Sequence, residues 1–170
     1  MDIKTDIVIA GTGVGGLFCA LHLPRDKEIL LITKAALEDC DSYLAQGGIC
    51  VLKNEDDYDS YFEDTMRAGH YENNKESVDI MIRSSRDIIN ELIDCGVDFE
   101  RNPDGSLAFT KEGAHSTPRI LFHEDITGRE ITSKLLEKVK RLPNVKIMER
   151  FTMVDIIEDN GRCAGIIGKH

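Results

Sequence analysis

The chain has no stretch approaching the roughly 20 apolar residues that cross a bilayer. Its first residues also lack a basic segment leading into an apolar run and a cleavage site. Neither a membrane partner nor a secretory leader is expected, and the sequence reads as cytoplasmic. Positive charge is scarce: 21 basic against 31 acidic side chains leave a net charge of -10. That balance argues against nucleic acid or an anionic membrane surface as the main partner, while leaving room for a local phosphate pocket. Paired cysteine motifs are missing as well. Cys19, Cys40, Cys50, Cys95 and Cys163 are odd in number, scattered, and without Cys-x-x-Cys or a histidine at ligand spacing. Reduced thiols packed as small buried hydrophobes are expected, with neither a disulfide framework nor a metal site. Repeats, low-complexity tracts and clear linkers are absent too. With 41% hydrophobic and 31% charged residues among 170, what remains is a globular chain able to bury a sizeable core.

What is present begins with an apolar run, Asp6-Ile7-Val8-Ile9-Ala10, too short for a helix. It meets Gly11-Thr12-Gly13-Val14-Gly15-Gly16, after which Leu17 to Leu23 resume apolar character at helical spacing. Strand, tight turn and helix follow one another. Such a turn brings bare backbone amides and a helix N-terminus, both favourable to negative charge, against a pyrophosphate. Gly11 permits the turn, Gly13 admits the phosphates, and Gly16 lets helix and strand approach closely. Glu28 to Thr33 reads as a second buried parallel strand, completing a right-handed crossover unit. A dinucleotide fold usually ends that strand on an acid for the ribose, whereas here it ends on Thr33-Lys34. Lys34 reads either as a contact to ribose or phosphate or as an ordinary solvated lysine.

Asp41-Ser42-Tyr43-Leu44-Ala45-Gln46-Gly47-Gly48-Ile49 is a second glycine-bearing segment, suited to close backbone approach or to a tight loop closing a helical turn. Two helices follow. One covers about Asp57 to Ala68 and is capped by Gly69; the other runs from near Asn74 to Gly96. The second carries Val78, Met81, Ile82, Ser85, Ile88, Ile89, Leu92 and Ile93 as a core stripe, with Arg83, Arg86 and Asp87 on a solvated face. Asn102-Pro103-Asp104-Gly105 signals a turn between short extended pieces. Glu112, His115, Arg119 and His123 then gather around the strand-like Ile120-Leu121-Phe122, a surface loop or a site for a charged small molecule. Thr127-Gly128-Arg129-Glu130 has the spacing of a capping box for a helix that buries Ile131, Leu135, Val139 and Leu142 and stops at Pro143. Val145 to Met148 reads as a strand, and Phe151 to Ile157 with Cys163 to Ile167 as a hairpin turning at Asn160-Gly161.

The order GTGVGG, SYLAQGGI, EGAHSTPRILFHEDITGREI and ERFTMVDIIEDNGRCAGI resembles the N-terminal part of the L-aspartate oxidase family, within the fumarate reductase and succinate dehydrogenase flavoproteins. The resemblance runs through nearly all of the chain. It implies an α/β, Rossmann-like FAD-binding fold with a parallel central sheet, flanking helices and a C-terminal hairpin. It also implies that residues 1–170 form a partial FAD-binding domain, truncated relative to the family, with the capping and C-terminal helical domains and the acid/base arginine lying beyond it. On that reading, the isolated chain is expected to be nearly silent catalytically. The implied cofactor is noncovalent FAD: Gly11, Thr12, Gly13, Val14, Gly15 and Gly16 at the pyrophosphate, Lys34 at the adenosine end, and the backbone of Thr152 and Met153 at adenine. Asp41, Ser42, Tyr43, Leu44, Ala45, Gln46, Gly47 and Gly48 would line flavin and phosphates. Members that attach FAD covalently carry a histidine at the position of Asp41, where a carboxylate cannot form that link.

The implied reaction is oxidation of L-aspartate to iminoaspartate, with dioxygen or fumarate as acceptor, feeding quinolinate synthase on the de novo route to NAD. Glu112 would orient the substrate by facing its ammonium group, with His115 and Arg119 as further substrate-site candidates. Opposite charges about 4 Å apart attract by roughly 4 kcal/mol at an effective dielectric of 20 before desolvation, enough to favour an amino dicarboxylate. Two other readings stay open: a soluble fumarate reductase or succinate dehydrogenase-type flavoprotein fragment, and a non-catalytic nucleotide-binding module.

Overall fold

The computed structural model describes residues 2–170, so Met1 of the expected 1–170 domain lies outside the described residues. The chain divides into two compact units. One comprises the segment up to Ala45 together with Ile131–His170; the other is Gln46–Glu130.

The first unit is built on a three-stranded parallel sheet ordered β1-β2-β5: β1 (Ile7–Ala10), β2 (Ile29–Ile32) and β5 (Val145–Met148). The register pairs Ile7 with Ile29 and Ile29 with Val145. All four residues of the central strand β2 are buried, as a strand flanked on both edges and covered on both faces requires. Helix α1 (Val14–His22) turns Leu17 and Ala20 inward. A Cβ on Gly16 would lie 2.1 Å from the Gly11 carbonyl oxygen, so helix and strand come closer than any side chain allows. Gly11 itself has φ +118°, a conformation that L side chains avoid. The short helix α2 (Asp41–Leu44) follows the loop after β2. The hairpin forms where expected, from β6 (Thr152–Asp159) and β7 (Arg162–Lys169), with Asn160 and Gly161 both at positive φ in the turn.

The second unit packs two helices beside short antiparallel pairings. Helix α3 (Tyr58–Ala68) and the long α4 (Lys75–Asp94) enclose a core of Leu52, Tyr61, Met66, Val78 and Ile82. Asn74 caps α4 by accepting the Ser77 amide at 2.9 Å. Strand β3 (Ile49–Cys50) pairs with β4 (Ile120–Leu121), joining Ile49 to Leu121 and Cys50 to Ile120. Helix α5 (Thr127–Lys140) begins in this unit and continues into the first, burying Ile131, Leu135, Leu136 and Val139.

Four expectations need correction. Met81 is 46% exposed, because it stands a residue off the Val78–Ile82–Ser85–Ile89–Leu92 seam. Arg86 is not simply a solvated residue: its Nε donates to the Leu52 carbonyl at 2.7 Å. Thr127 does not close a capping box on the amide three residues ahead. Its Oγ1 accepts the His123 amide at 2.9 Å, and Glu130 Oε1 accepts the Asp98 amide at 3.0 Å, so both side chains brace the loops that lead to α5. The cysteines are not uniformly buried either. Cys19 and Cys163 are exposed and the other three half-buried, since none stands on the fully buried seam of its element.

Candidate functional site

A cleft of about 340 Å³ opens in the first unit at the C-terminal ends of β1 and β2. It gathers Gly11, Thr12, Gly13, Lys34, Asp41, Thr152 and Met153, seven of the residues singled out as cofactor ligands. The backbone explains the gathering. Parallel strands end on the same edge, the glycine turn leaves β1 there, and the Phe151 amide donates to the Thr33 carbonyl at 2.9 Å, bringing the start of β6 beside the end of β2. The first turn of α1 contains no acidic side chain. Its leading amides have no carbonyl one turn back to receive them, and Ser42 Oγ accepts one, that of Val14, at 3.2 Å. A Cβ on Gly15 would meet nothing within 4 Å, and one on Gly13 would stop 3.0 Å from Ser42 Oγ. The turn is therefore a bare backbone surface with a positive helix end, a fit to a diphosphate. Thr12 is buried and its hydroxyl donates to the Leu37 carbonyl at 3.3 Å, leaving its backbone as the part available to a ligand. Asp39, Cys40 and Phe151 also line the cleft. Their only sequence signal was adjacency to the motif residues.

Val14, Gly15 and Gly16 continue into α1, and Ser42, Tyr43, Leu44 and Ala45 run through and just past α2. Gln46, Gly47 and Gly48 fall in the second unit. There Gln46 Nε2 donates to Asp125 at 3.1 Å. A Cβ on Gly48 would lie 2.2 Å from the Leu121 carbonyl oxygen, so this glycine serves the close approach of β3 and β4. Gly47 faces outward to Glu112, whose Oε2 is 3.2 Å from where a Gly47 Cβ would stand. Two residues 65 apart in sequence are thus juxtaposed, with the Glu112 side chain exposed to solvent.

Behind Glu112, Arg119 is fully buried and all its N–H groups are engaged. Nε and Nη2 donate to Asp57 at 3.2 and 2.8 Å, Nη2 to Ser60 at 2.7 Å, and Nη1 to Asp64 at 2.7 Å and to His115 Nδ1 at 3.0 Å. The guanidinium also lies over the Tyr61 ring, 4.9 Å from its centroid. Because a guanidinium only donates, His115 Nδ1 accepts, and the neutral imidazole carries its proton on Nε2, 3.1 Å from Cys50 Sγ. Burial and the Arg119 charge hold the His115 pKa below its ordinary value, favouring that neutral form. Burial pushes the Cys50 thiol up, against the hydrogen bond from Tyr61 and the charge of Arg119. Burial also opposes ionisation of Asp57 and Asp64, yet their hydrogen bonds and the Arg119 charge outweigh it and leave both carboxyls below the usual range. Cys50, Tyr61, Asp64 and His115 line a second cleft of about 660 Å³ with Ile49, Met81 and other residues of α3 and α4. The structure brings Glu112, His115 and Arg119 near one another, but the partners Asp57, Asp64 and Cys50 lie 55 to 69 residues upstream of Arg119 and carried no signal. His123, the fourth of the group, bonds through Nδ1 to the Asp98 carbonyl.

Among the described residues no helix is long and apolar enough to cross a membrane, and no group of three or more His, Cys, Asp or Glu side chains could hold a metal ion. Known proteins resemble the chain throughout. It is 48% identical over 167 residues to an L-aspartate oxidase of Clostridium perfringens, covering 98% of the chain and 38% of that protein. It is 44% identical over 165 residues to an L-aspartate oxidase of Clostridium acetobutylicum, covering 97% and 38%. It thus spans under two fifths of the length of these relatives. In fold, it superposes on an E. coli quinol fumarate reductase with a TM-score of 0.92 at 24% identity, over 98% of the chain and 29% of that structure. The FAD binding domain family matches residues 6–170. On the glycine turn, the parallel sheet and this match, the chain belongs to the FAD binding domain family, and its cofactor is FAD.

Proposed function

We propose that the polypeptide carrying these residues oxidises L-aspartate to iminoaspartate and passes the electrons to dioxygen or fumarate. This places it at the first step of the de novo route to NAD, in the cytoplasm, with its product consumed by quinolinate synthase. The observation that carries the reading is Glu112, a solvent-open carboxylate held beside Gly47 of the AQGG segment. The relatives named L-aspartate oxidase, at 48% and 44% identity, support it.

FAD, when bound, supplies a two-electron acceptor. The chain's own residues hold it without a covalent bond. The backbone of Gly11 to Gly16 receives the diphosphate, and a Cβ on Gly13 would close to 3.0 Å on Ser42 Oγ. Lys34, with the backbone of Thr152 and Met153, takes the adenosine end of the same cleft. Asp41 through Gly48 line the flavin and phosphates, and Asp41 offers no imidazole for attachment. Glu112 binds the substrate ammonium, a group that fumarate and succinate lack. His115, held neutral, adds no competing positive charge beside that ammonium. Arg119 acts from behind: with every donor engaged, it orients His115.

The test replaces Glu112→Gln in the FAD-loaded polypeptide and compares aspartate oxidation with fumarate reduction. Aspartate turnover should fall roughly tenfold or more, while fumarate reduction changes little. Equal losses would remove Glu112 from amino recognition, and fumarate reduction without any aspartate oxidation would replace the reading with a fumarate reductase. Flavin released by mild acid precipitation is the expected sign of noncovalent binding.

A further inference from the structure

The turn that carries Glu112 is fastened along one side. The His115 amide donates to the Glu112 carbonyl at 3.2 Å, and Gly113 takes φ +49°. Three successive residues are then tied to charged side chains. Arg67 Nη2 donates to the Ala114 carbonyl at 3.4 Å, Arg119 Nη1 to His115 Nδ1 at 3.0 Å, and Ser116 donates from both its amide and its hydroxyl to Asp64 Oδ2, at 2.6 and 2.7 Å. Asp64 joins all three ties, since Arg67 bonds its Oδ1 at 2.6 Å and Arg119 its Oδ2 at 2.7 Å. Its side chain is 4% exposed and stands on the rigid frame of α3.

We infer that Asp64 is a positioning residue: it holds the 112–116 turn so that Glu112 stays against Gly47, and the selection of an amino substrate depends on it. The inference rests on the proposed role of Glu112. Two features of the cluster suit this task. The negative charge of Asp64 is matched by Arg119 and Arg67, so it does not compete with Glu112 for the substrate ammonium. Glu112 is exposed, and the turn's fixed backbone limits where its carboxylate can reach. Without the anchor, a glycine-containing loop has many conformations to sample, and the carboxylate spends less time in the productive one.

The test uses the FAD-loaded polypeptide with Asp64→Asn and with Ser116→Ala. The second removes one hydroxyl bond and leaves the Asp64–Arg119 pair intact, so it carries the test if Asp64→Asn fails to fold. Expected are a roughly tenfold rise in KM for L-aspartate in Asp64→Asn and a smaller one in Ser116→Ala. In both, kcat and fumarate reduction should stay within about twofold, and hydrogen exchange at the His115 and Ser116 amides should quicken roughly tenfold. In a Glu112→Gln background, Asp64→Asn should raise KM no further, because the carboxylate it positions is gone. Unchanged exchange at those two amides, or the same KM rise with and without Glu112, overturns the inference. Should Glu112→Gln itself leave KM for aspartate unaltered, the recognition reading and the positioning role both fall. Exchange then tells whether the turn is anchored but idle or not anchored at all.

Discussion

The two units make their candidate sites from different materials. In the first, the cleft at the end of β1 and β2 is formed by backbone: a glycine at φ +118°, an amide-bearing helix start and strand ends brought level by parallel pairing. In the second, the site is formed by side chains. One buried guanidinium is bound to Asp57, Asp64, Ser60 and His115, and around it stands the turn that presents Glu112. A backbone site is limited by volume wherever a Cβ would run into its neighbours, as at Gly16, and not where none stands within 4 Å, as at Gly15. A side-chain site tolerates modest changes of volume but not loss of a charge.

The sharpest way to break this contrast is Arg119→Met. It removes the charge while keeping much of the volume, leaving Asp57 buried without its guanidinium partner and Asp64 with Arg67 alone as its counter-charge. A loss of about 3–5 kcal/mol is expected. Urea denaturation followed by circular dichroism reads it, and a loss under about 1 kcal/mol would show the cluster to be dispensable. Acid acts on the same groups more gradually. Both carboxyls have folded pKa values below the unfolded value of roughly 3.9, so the unfolded chain binds more protons as the pH falls through that value. The stability they contribute is present above about pH 4 and declines as the pH falls toward their folded values. Thermal melts between pH 6 and pH 3 should show this decline, and Asp57→Asn, which gives up one of the two titrations, should flatten it. An equal slope in the variant would show that the acid sensitivity arises elsewhere.

The smallest effect belongs to the backbone site and sets two neighbouring glycines against each other. Gly16→Ala forces a methyl to within 2.1 Å of the Gly11 carbonyl and should destabilise by about 1–3 kcal/mol. Gly15→Ala meets nothing within 4 Å and should be neutral or stabilising by up to about 1 kcal/mol, since alanine favours a helix. Melting temperatures of the two variants separate the outcomes, and similar shifts would refute the idea that α1 packs at contact distance on the turn.

Much of the first unit was legible because its signals are local. The alternation of short apolar runs and helical stripes foretold β1, α1, β2, β5 and the hairpin, and the Gly11 and Gly16 roles followed from steric limits that hold within a single turn. The second unit was legible in its helices, including the Asn74 cap and the Gly69 stop, but not in its polar core. Nothing local marks Asp57 and Asp64, on and beside a helix that otherwise reads as amphipathic, as the partners of an arginine 62 and 55 residues later. For the same reason the Thr127–Glu130 pattern misled: the spacing of a capping box is local, but His123 and Asp98 offered those side chains other amides. Ser85 shows the converse. It was placed within an apolar stripe on spacing alone, and it fits there because its hydroxyl donates to the Ile82 carbonyl and accepts the Leu52 amide.

By itself the sequence determined the order of elements, the glycine turn that admits a dinucleotide, the absence of histidine at position 41, and the presence of an acid, Glu112, in a polar loop. These depend on chain geometry and residue type over a few positions, which short-range sterics and periodicity decide. The tertiary structure decided which of the charged residues remain open. Arg119, an apparent substrate-binding cation in the sequence, is buried and fully engaged, while Glu112 is left exposed beside Gly47. The reason is electrostatic: a buried charge is tolerable only when folding brings its counter-charges within hydrogen-bond distance, and those counter-charges come from a distant part of the chain.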